Sequence, residues 1–195
     1  MKAGFNLLLW CSSLGLAELR RCEWLAEFGG DGVVVPVFDG CVADHAALGR
    51  RLGGMGLGRT VVAIVSNGDP LSDDPSERQK GIDHLKYVAD CSVALGAEGL
   101  AGPLTQPLGQ FSGAGATPVE WDRLVAASKA LADHTKGSGL TIAVEPLNRF
   151  ECYALNTCAQ SAALVEAVGA AHFGSLFDSF RANIEEKDPW GALRA

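Results

Sequence analysis

The segment TIAVEPLNRFE, residues 141–151, most constrains what this chain can fold into: a short apolar run ends in a carboxylate and then at once in a proline. Proline pushes the residue before it into extended geometry and cannot donate to a strand ladder, so Glu145 is expected at the very end of a strand. The pattern recurs in FGSLFDSF, residues 173–180, where Asp178 closes a second apolar run 33 residues after Glu145. Successive parallel strands that both end in an acid are how an α/β barrel builds a cation site, because its functional groups collect at the carboxyl ends of its strands.

Apolar strand-like runs alternate with helix-patterned stretches along the rest of the chain. Strands are predicted over 2–9, 32–38, 59–66, 98–103, 140–145 and 173–178, and helices around 16–28, 42–53, 75–95, 118–135 and 157–168. Asp74 before Pro75 and Thr117 before Pro118 each set a capping side chain ahead of a proline at the first helical position. Gly29, Gly96 and Gly169 supply helix stops.

Strand starts 27 to 42 residues apart suit βαβ units of about 30 residues or a little more. Six such units fit in 195 residues, whereas a (β/α)₈ barrel typically needs roughly 250. The expected fold is therefore a single TIM barrel domain over 1–195, truncated after about six βα units, with the last two missing. Asp188 and Pro189 repeat the cap-plus-proline opening, yet the helix they begin runs out at Ala195, too short to be stable alone. The competing architecture is a complete six-stranded doubly wound sheet, with function at a topological switch point.

Composition narrows the function classes. Hydrophobic residues make up 48% and charged residues 20%, as in ordinary folded domains. A net charge of -7, from 16 basic and 23 acidic residues, lacks the basic surface that neutralises phosphates and so argues against a nucleic-acid partner. The apolar residues 7–10 after Lys2 loosely imitate a secretory signal, but Asn6 and Ser12–Ser13 bound the run, and a strand is the preferred reading. No run approaches the roughly 18 apolar residues of a membrane span. Six cysteines without zinc-ligand spacing suit reduced thiols in a cytoplasm.

The stretches AVEPLNRFECYALNT, FDSFRANIEEKDP, KAGFNLLLW and ERQKGIDHLK together resemble the D-tagatose 3-epimerase and D-psicose 3-epimerase group of the xylose-isomerase-like barrel superfamily. That resemblance implies a metal-dependent sugar isomerase or epimerase acting by proton transfer next to a ketose carbonyl. Its nearest neighbours are hydroxypyruvate-isomerase-like and sugar-dehydratase activities. An endonuclease IV-like nuclease is disfavoured by the missing basic surface, and a non-catalytic truncated barrel is the third class.

Carried over residue by residue, the resemblance implies that Glu145 and Asp178 bind a divalent metal and that Glu145 also serves as acid and base. It makes Glu151 a sugar contact and, on looser grounds, gives Trp121 and Asn6 substrate-facing positions. Arg181 stands where the family has a substrate-contacting histidine, which keeps a donor but adds a permanent charge and a longer reach. The family's remaining ligands, a histidine and a second catalytic glutamate, belong to a seventh and eighth strand. Oxygen-rich ligation favours Mn²⁺, with Mg²⁺ or Co²⁺ as alternatives. The implied partner is a small ketose, and a homo-oligomer of the full-length form is left open.

Strand alternation predicts that Thr141, Ala143 and Glu145 face the barrel interior, as do Gly174, Leu176 and Asp178, while Ile142, Val144, Phe173 and Phe177 lie beneath the helices. His45, His84 and His134 are expected at exposed helix positions. Glu185 and Glu186 are expected in a solvated turn opening a short helix.

Overall fold

The computed structural model describes residues 2–194, so the ends of the 1–195 span lie outside the described residues. One sheet of six parallel strands runs in the order β1 to β6: Gly4–Asn6, Gly32–Pro36, Gly58–Val62, Gly99–Gly102, Thr141–Val144 and Phe173–Ser175. Every strand pairs with its sequence neighbour, in registers such as Val33 with Arg59 and Ala143 with Gly174. A doubly wound sheet would reverse its strand order at a switch point, and this sheet never does. The architecture is that of consecutive units of a (β/α) barrel.

Among the described residues, seven helices connect and follow the strands: α1 Leu16–Glu27, α2 Val42–Gly54, α3 Pro75–Leu95, α4 Pro118–Thr135, α5 Cys158–Val168, α6 Ser179–Glu185 and α7 Pro189–Arg194. Their ends follow local chemistry. The Asp74 carboxylate accepts from the Ser76 amide at 2.8 Å, and Thr117 and Glu120 form a reciprocal capping box at the start of α4. At the other end of α3, Gly96 takes the left-handed conformation (φ 71°) that lets its amide satisfy the last carbonyls.

The strands are shorter than predicted. β1 gives way after Asn6 to a 3₁₀ turn over Leu7–Leu9, because the Asn6 side chain accepts from the Leu8 amide at 3.0 Å and captures a donor that would have continued the ladder. β6 stops at Ser175, ahead of the predicted Asp178.

The alternation of faces holds. Val33, Val35, Val61, Leu100, Ile142, Val144 and Phe173 are all buried in the hydrophobic core between sheet and helices. The residues between them, Val34, Thr60, Ala101, Ala143 and Gly174, point to the other face and are only half-buried. Small residues on that face leave room at the barrel axis, and the bulky ones fill the layer under the helices.

Helices α2 and α3 pack at backbone distance. A Cβ at Gly49 would run into the Leu95 carbonyl oxygen, and the Gly49 carbonyl itself accepts from Arg59 Nη1 at 2.5 Å. Alanine is worth about 1 kcal/mol over glycine in a helix interior, but forcing a methyl against fixed backbone costs about 1–3 kcal/mol. Gly49→Ala is therefore expected to lower stability despite its better helix propensity, seen as an earlier urea midpoint; an unchanged or later midpoint would contradict the close packing.

Candidate active site

Glu145 follows β5 directly, and its amide still donates to the Gly102 carbonyl at 2.9 Å, which fixes the carboxylate at the carboxyl end of the sheet. Its side chain is 11% exposed. Across the β5–β6 boundary the Leu176 amide donates to Val144, and the chain then turns into α6 with Asp178 as its N-cap. One Asp178 oxygen accepts from the Phe180 amide at 2.7 Å and the Arg181 amide at 3.3 Å. A seven-residue helix is marginal on its own. Its position is fixed by that cap and by its contacts to the β5–α5 loop.

The cap aims Arg181 at the acids. Arg181 Nε donates to Glu145 Oε1 at 2.9 Å and lies 3.7 Å from the free Asp178 oxygen, while Nη1 donates to Glu151 Oε2 at 2.6 Å. The structure thus gathers Glu145, Glu151, Asp178 and Arg181 into one cluster built from the end of β5, the β5–α5 loop and the first turn of α6.

Burial is the largest influence on Glu145 and raises its affinity for a proton; the Arg181 guanidinium opposes that, and the neighbouring Asp178 adds to it. The outcome is a carboxyl held above its ordinary range in spite of a direct cationic partner. Arg181 is pulled the other way: burial disfavours its charge, but Glu145, Glu151 and Asp178 together hold its proton more tightly than usual. The arrangement can therefore keep a proton-transfer group on Glu145 next to a permanent hydrogen-bond donor.

Trp121 and Asn6 are carried by other elements. Trp121 is in the first turn of α4 and packs half-buried against the hydrophobic core. Asn6 ends β1, an exposed position on the sheet face opposite Phe5, and its side-chain Oδ1 accepts from the Leu8 amide at the start of the 3₁₀ turn.

Two buried amides, not anticipated from the sequence, brace the loop that carries Glu151. Asn148 donates to Glu151 Oε2 and accepts from the Phe150 amide at 3.0 Å. Gln106, from the β4–α4 connection, accepts from the amides of Tyr153 (3.3 Å) and Ala154 (2.9 Å). The three-residue spacing of Asn148 and Glu151 was a local signal for the first; no sequence signal marks the second, whose partners lie 47 and 48 positions away.

Two expectations are corrected here. Glu185 is not in a solvated turn but ends α6, with its side chain 6% exposed and bonded to Arg149 Nε and Nη2, each at 3.0 Å. Glu186 accepts from the Cys158 amide at 2.7 Å and so serves the start of α5. His45 and His84 are buried rather than exposed, because α2 and α3 each present a second face to the other helix and to the loops. His84 Nε2 bridges Ser66 and the Ile64 carbonyl, both at 3.1 Å, and His45 Nε2 meets the Asp39 carbonyl at 3.0 Å. Among the described residues no group of three or more His, Cys, Asp or Glu side chains is arranged to hold a metal ion. No described helix is long and apolar enough to cross a membrane.

Comparison with known proteins agrees with this layout. The profile of the xylose isomerase-like TIM barrel family matches residues 22–195. The chain belongs to that family. Among its relatives, an L-ribulose 3-epimerase of Mesorhizobium japonicum is 32% identical over 99% of this chain and 65% of its own length. A probable ketose 3-epimerase of Synechocystis sp. is 41% identical over 53% of this chain and 35% of its own length. A crystal structure of a D-allulose 3-epimerase from Methylomonas sp. in complex with D-allulose superposes with a TM-score of 0.89 at 25% identity, covering 99% of this chain and 67% of that one. The chain spans 65% of the length of the Mesorhizobium japonicum relative and 67% of the Methylomonas structure.

The Arg149–Glu185 pair ties the β5–α5 loop to α6. Burial raises the proton affinity of Glu185, but its bonds to Arg149 outweigh this and hold it below the ordinary glutamate value. A carboxyl depressed in the folded state contributes stability above its unfolded value, and that contribution is lost as pH falls through the folded one. Arg149→Ala should therefore unfold at lower urea than the parent at pH 7, with the gap closing in acid. A gap independent of pH would show that the tie is not ionic.

Proposed function

We propose that this chain carries the acid-base machinery of a sugar isomerase or epimerase that moves a proton next to a ketose carbonyl, in the manner of a ketose 3-epimerase. The observation that carries this reading is the nearly buried Glu145 at the carboxyl end of β5, with its proton affinity raised by burial and its orientation fixed by Arg181. The kinship with ketose 3-epimerases supports it.

The carbon beside a ketone loses a proton only to a base that is correctly placed and neither too weak nor too strong. Glu145 in its ionised form takes that proton, and its raised affinity lets it keep and return it. Glu151, one of whose oxygens is shared between Asn148 and Arg181, would accept from a sugar hydroxyl; Arg181 would donate to one. Return of the proton to the opposite face calls for a second acid-base group, which the resemblance implies on a strand after the sixth.

Glu145 and Asp178 are donors of the hard oxygen type that Mn²⁺, Mg²⁺ or Co²⁺ takes, and they would hold such an ion. When bound, it would supply positive charge to offset the negative charge that develops on the carbonyl oxygen. The fit is one of donor type and not of number, since one Asp178 oxygen already caps α6. The substrate is a small ketose. Six free cysteines accord with a reducing compartment, and we place the protein in the cytoplasm.

Deuterium wash-in tests the proton step without requiring full epimerisation. With a ketose such as D-allulose or L-ribulose in heavy water and added Mn²⁺, the chain is expected to exchange the C3 proton, followed by proton NMR. Glu145→Gln should slow that exchange about 10²–10⁴-fold, the usual worth of a placed general base. Equal exchange by parent and Glu145→Gln would exclude this role.

A further inference from the structure

Arg181 reaches oxygens of all three clustered acids. Its Nε is 2.9 Å from Glu145 and 3.7 Å from the free oxygen of Asp178, and its Nη1 is 2.6 Å from Glu151. We propose that Arg181 is the chain's own counter-cation for Glu145 and Asp178 and that it competes with a divalent ion for them, so that the ion binds only as the guanidinium withdraws. This rests on the reading that those two carboxylates hold a cation.

Occupancy and charge set the guanidinium and the ion in competition. The available Asp178 oxygen is the one facing Arg181, since the other is held by two backbone amides of α6. Glu145 Oε1 already accepts the Nε–H. A divalent ion taking these oxygens would stand beside a guanidinium. At about 4 Å a double and a single positive charge repel with twice the energy of a unit pair, well above thermal energy in a half-buried site. A histidine in the same place can lose its proton and make way as a neutral ring; arginine cannot deprotonate, so it must move. Movement is open to it in one direction. Glu151 sits in the β5–α5 loop, braced by Asn148, and can keep Nη1 while Nε leaves Glu145.

Mn²⁺ alone, titrated into the protein and followed by the free-ion EPR signal, tests this. Arg181→His and Arg181→Gln both remove the fixed charge, and Gln keeps a donor for Glu145. Each is expected to bind Mn²⁺ about tenfold or more tightly than the parent, and adding Glu145→Gln should abolish that gain. In the unsubstituted protein, Mg²⁺ should shift the Arg181 Nε–H resonance and speed its exchange with water, a readout that needs no variant to fold. Equal Mn²⁺ affinities with an unmoved Arg181 resonance would overturn the competition while leaving the cation role of Glu145 and Asp178 standing. Absence of Mn²⁺ binding in parent and variants alike would overturn both.

Discussion

The burial of Glu145 against Arg181 is the interaction on which the functional end of this sheet depends. A carboxylate taken out of water loses several kcal/mol of hydration unless a partner and hydrogen bonds replace it. β5 delivers the acid, but the compensating charge comes from another element. Arg181 is three residues into α6, so its reach depends on where that helix begins, and the helix begins where Asp178 caps it. Cap, helix, guanidinium and buried acid form a chain of dependence in which each link fixes the next. Glu151 closes it by holding the other arm of the guanidinium.

The sheet and most helices were legible because their signals are local. Asp74–Pro75 and Thr117–Pro118 open α3 and α4 at the positions their chemistry dictates, and Gly96 and Gly169 stop α3 and α5 in left-handed conformations. The alternation of β5 told which side chains face the barrel axis. α6 was not legible. Its seven residues carry no apolar period, and it exists because Asp178 caps its start and Glu185 binds Arg149 from a different loop. The burial of His84 is of the same kind: it follows from the nearness of Ile64 and Ser66, twenty and eighteen positions away, and not from anything in α3 itself.

The candidate site divides along the same line. Glu145 is legible because a strand end is a sequence feature, whereas Asp178, expected at a strand end too, follows β6 by three residues and caps α6. That Glu151 and Arg181 join them could be inferred only through resemblance, since a guanidinium bridging acids 36 and 30 positions away leaves no local mark. Trp121 and Asn6 likewise come from resemblance alone; in the fold one packs on the core from α4 and the other caps the turn that follows β1. Gln106 leaves no such mark, because a lone amide in a loop carries no signature until its partners are known.

The strictly sequential strand order has a consequence for how the site comes into being. Each strand pairs with the one made just before it, so the sheet can grow unit by unit as the chain is synthesised, with every new pairing closing one βα crossover. The acid cluster does not share that gradual history. Glu145 is in place once β5 has joined β4, yet its cationic partner arrives only with α6, after the sixth strand. Until then the carboxylate stands at the open edge of a nascent sheet, hydrated and uncompensated. Its desolvation is postponed to the step at which α6 docks, so the charge pairing of the site forms later than the strand that carries its acid.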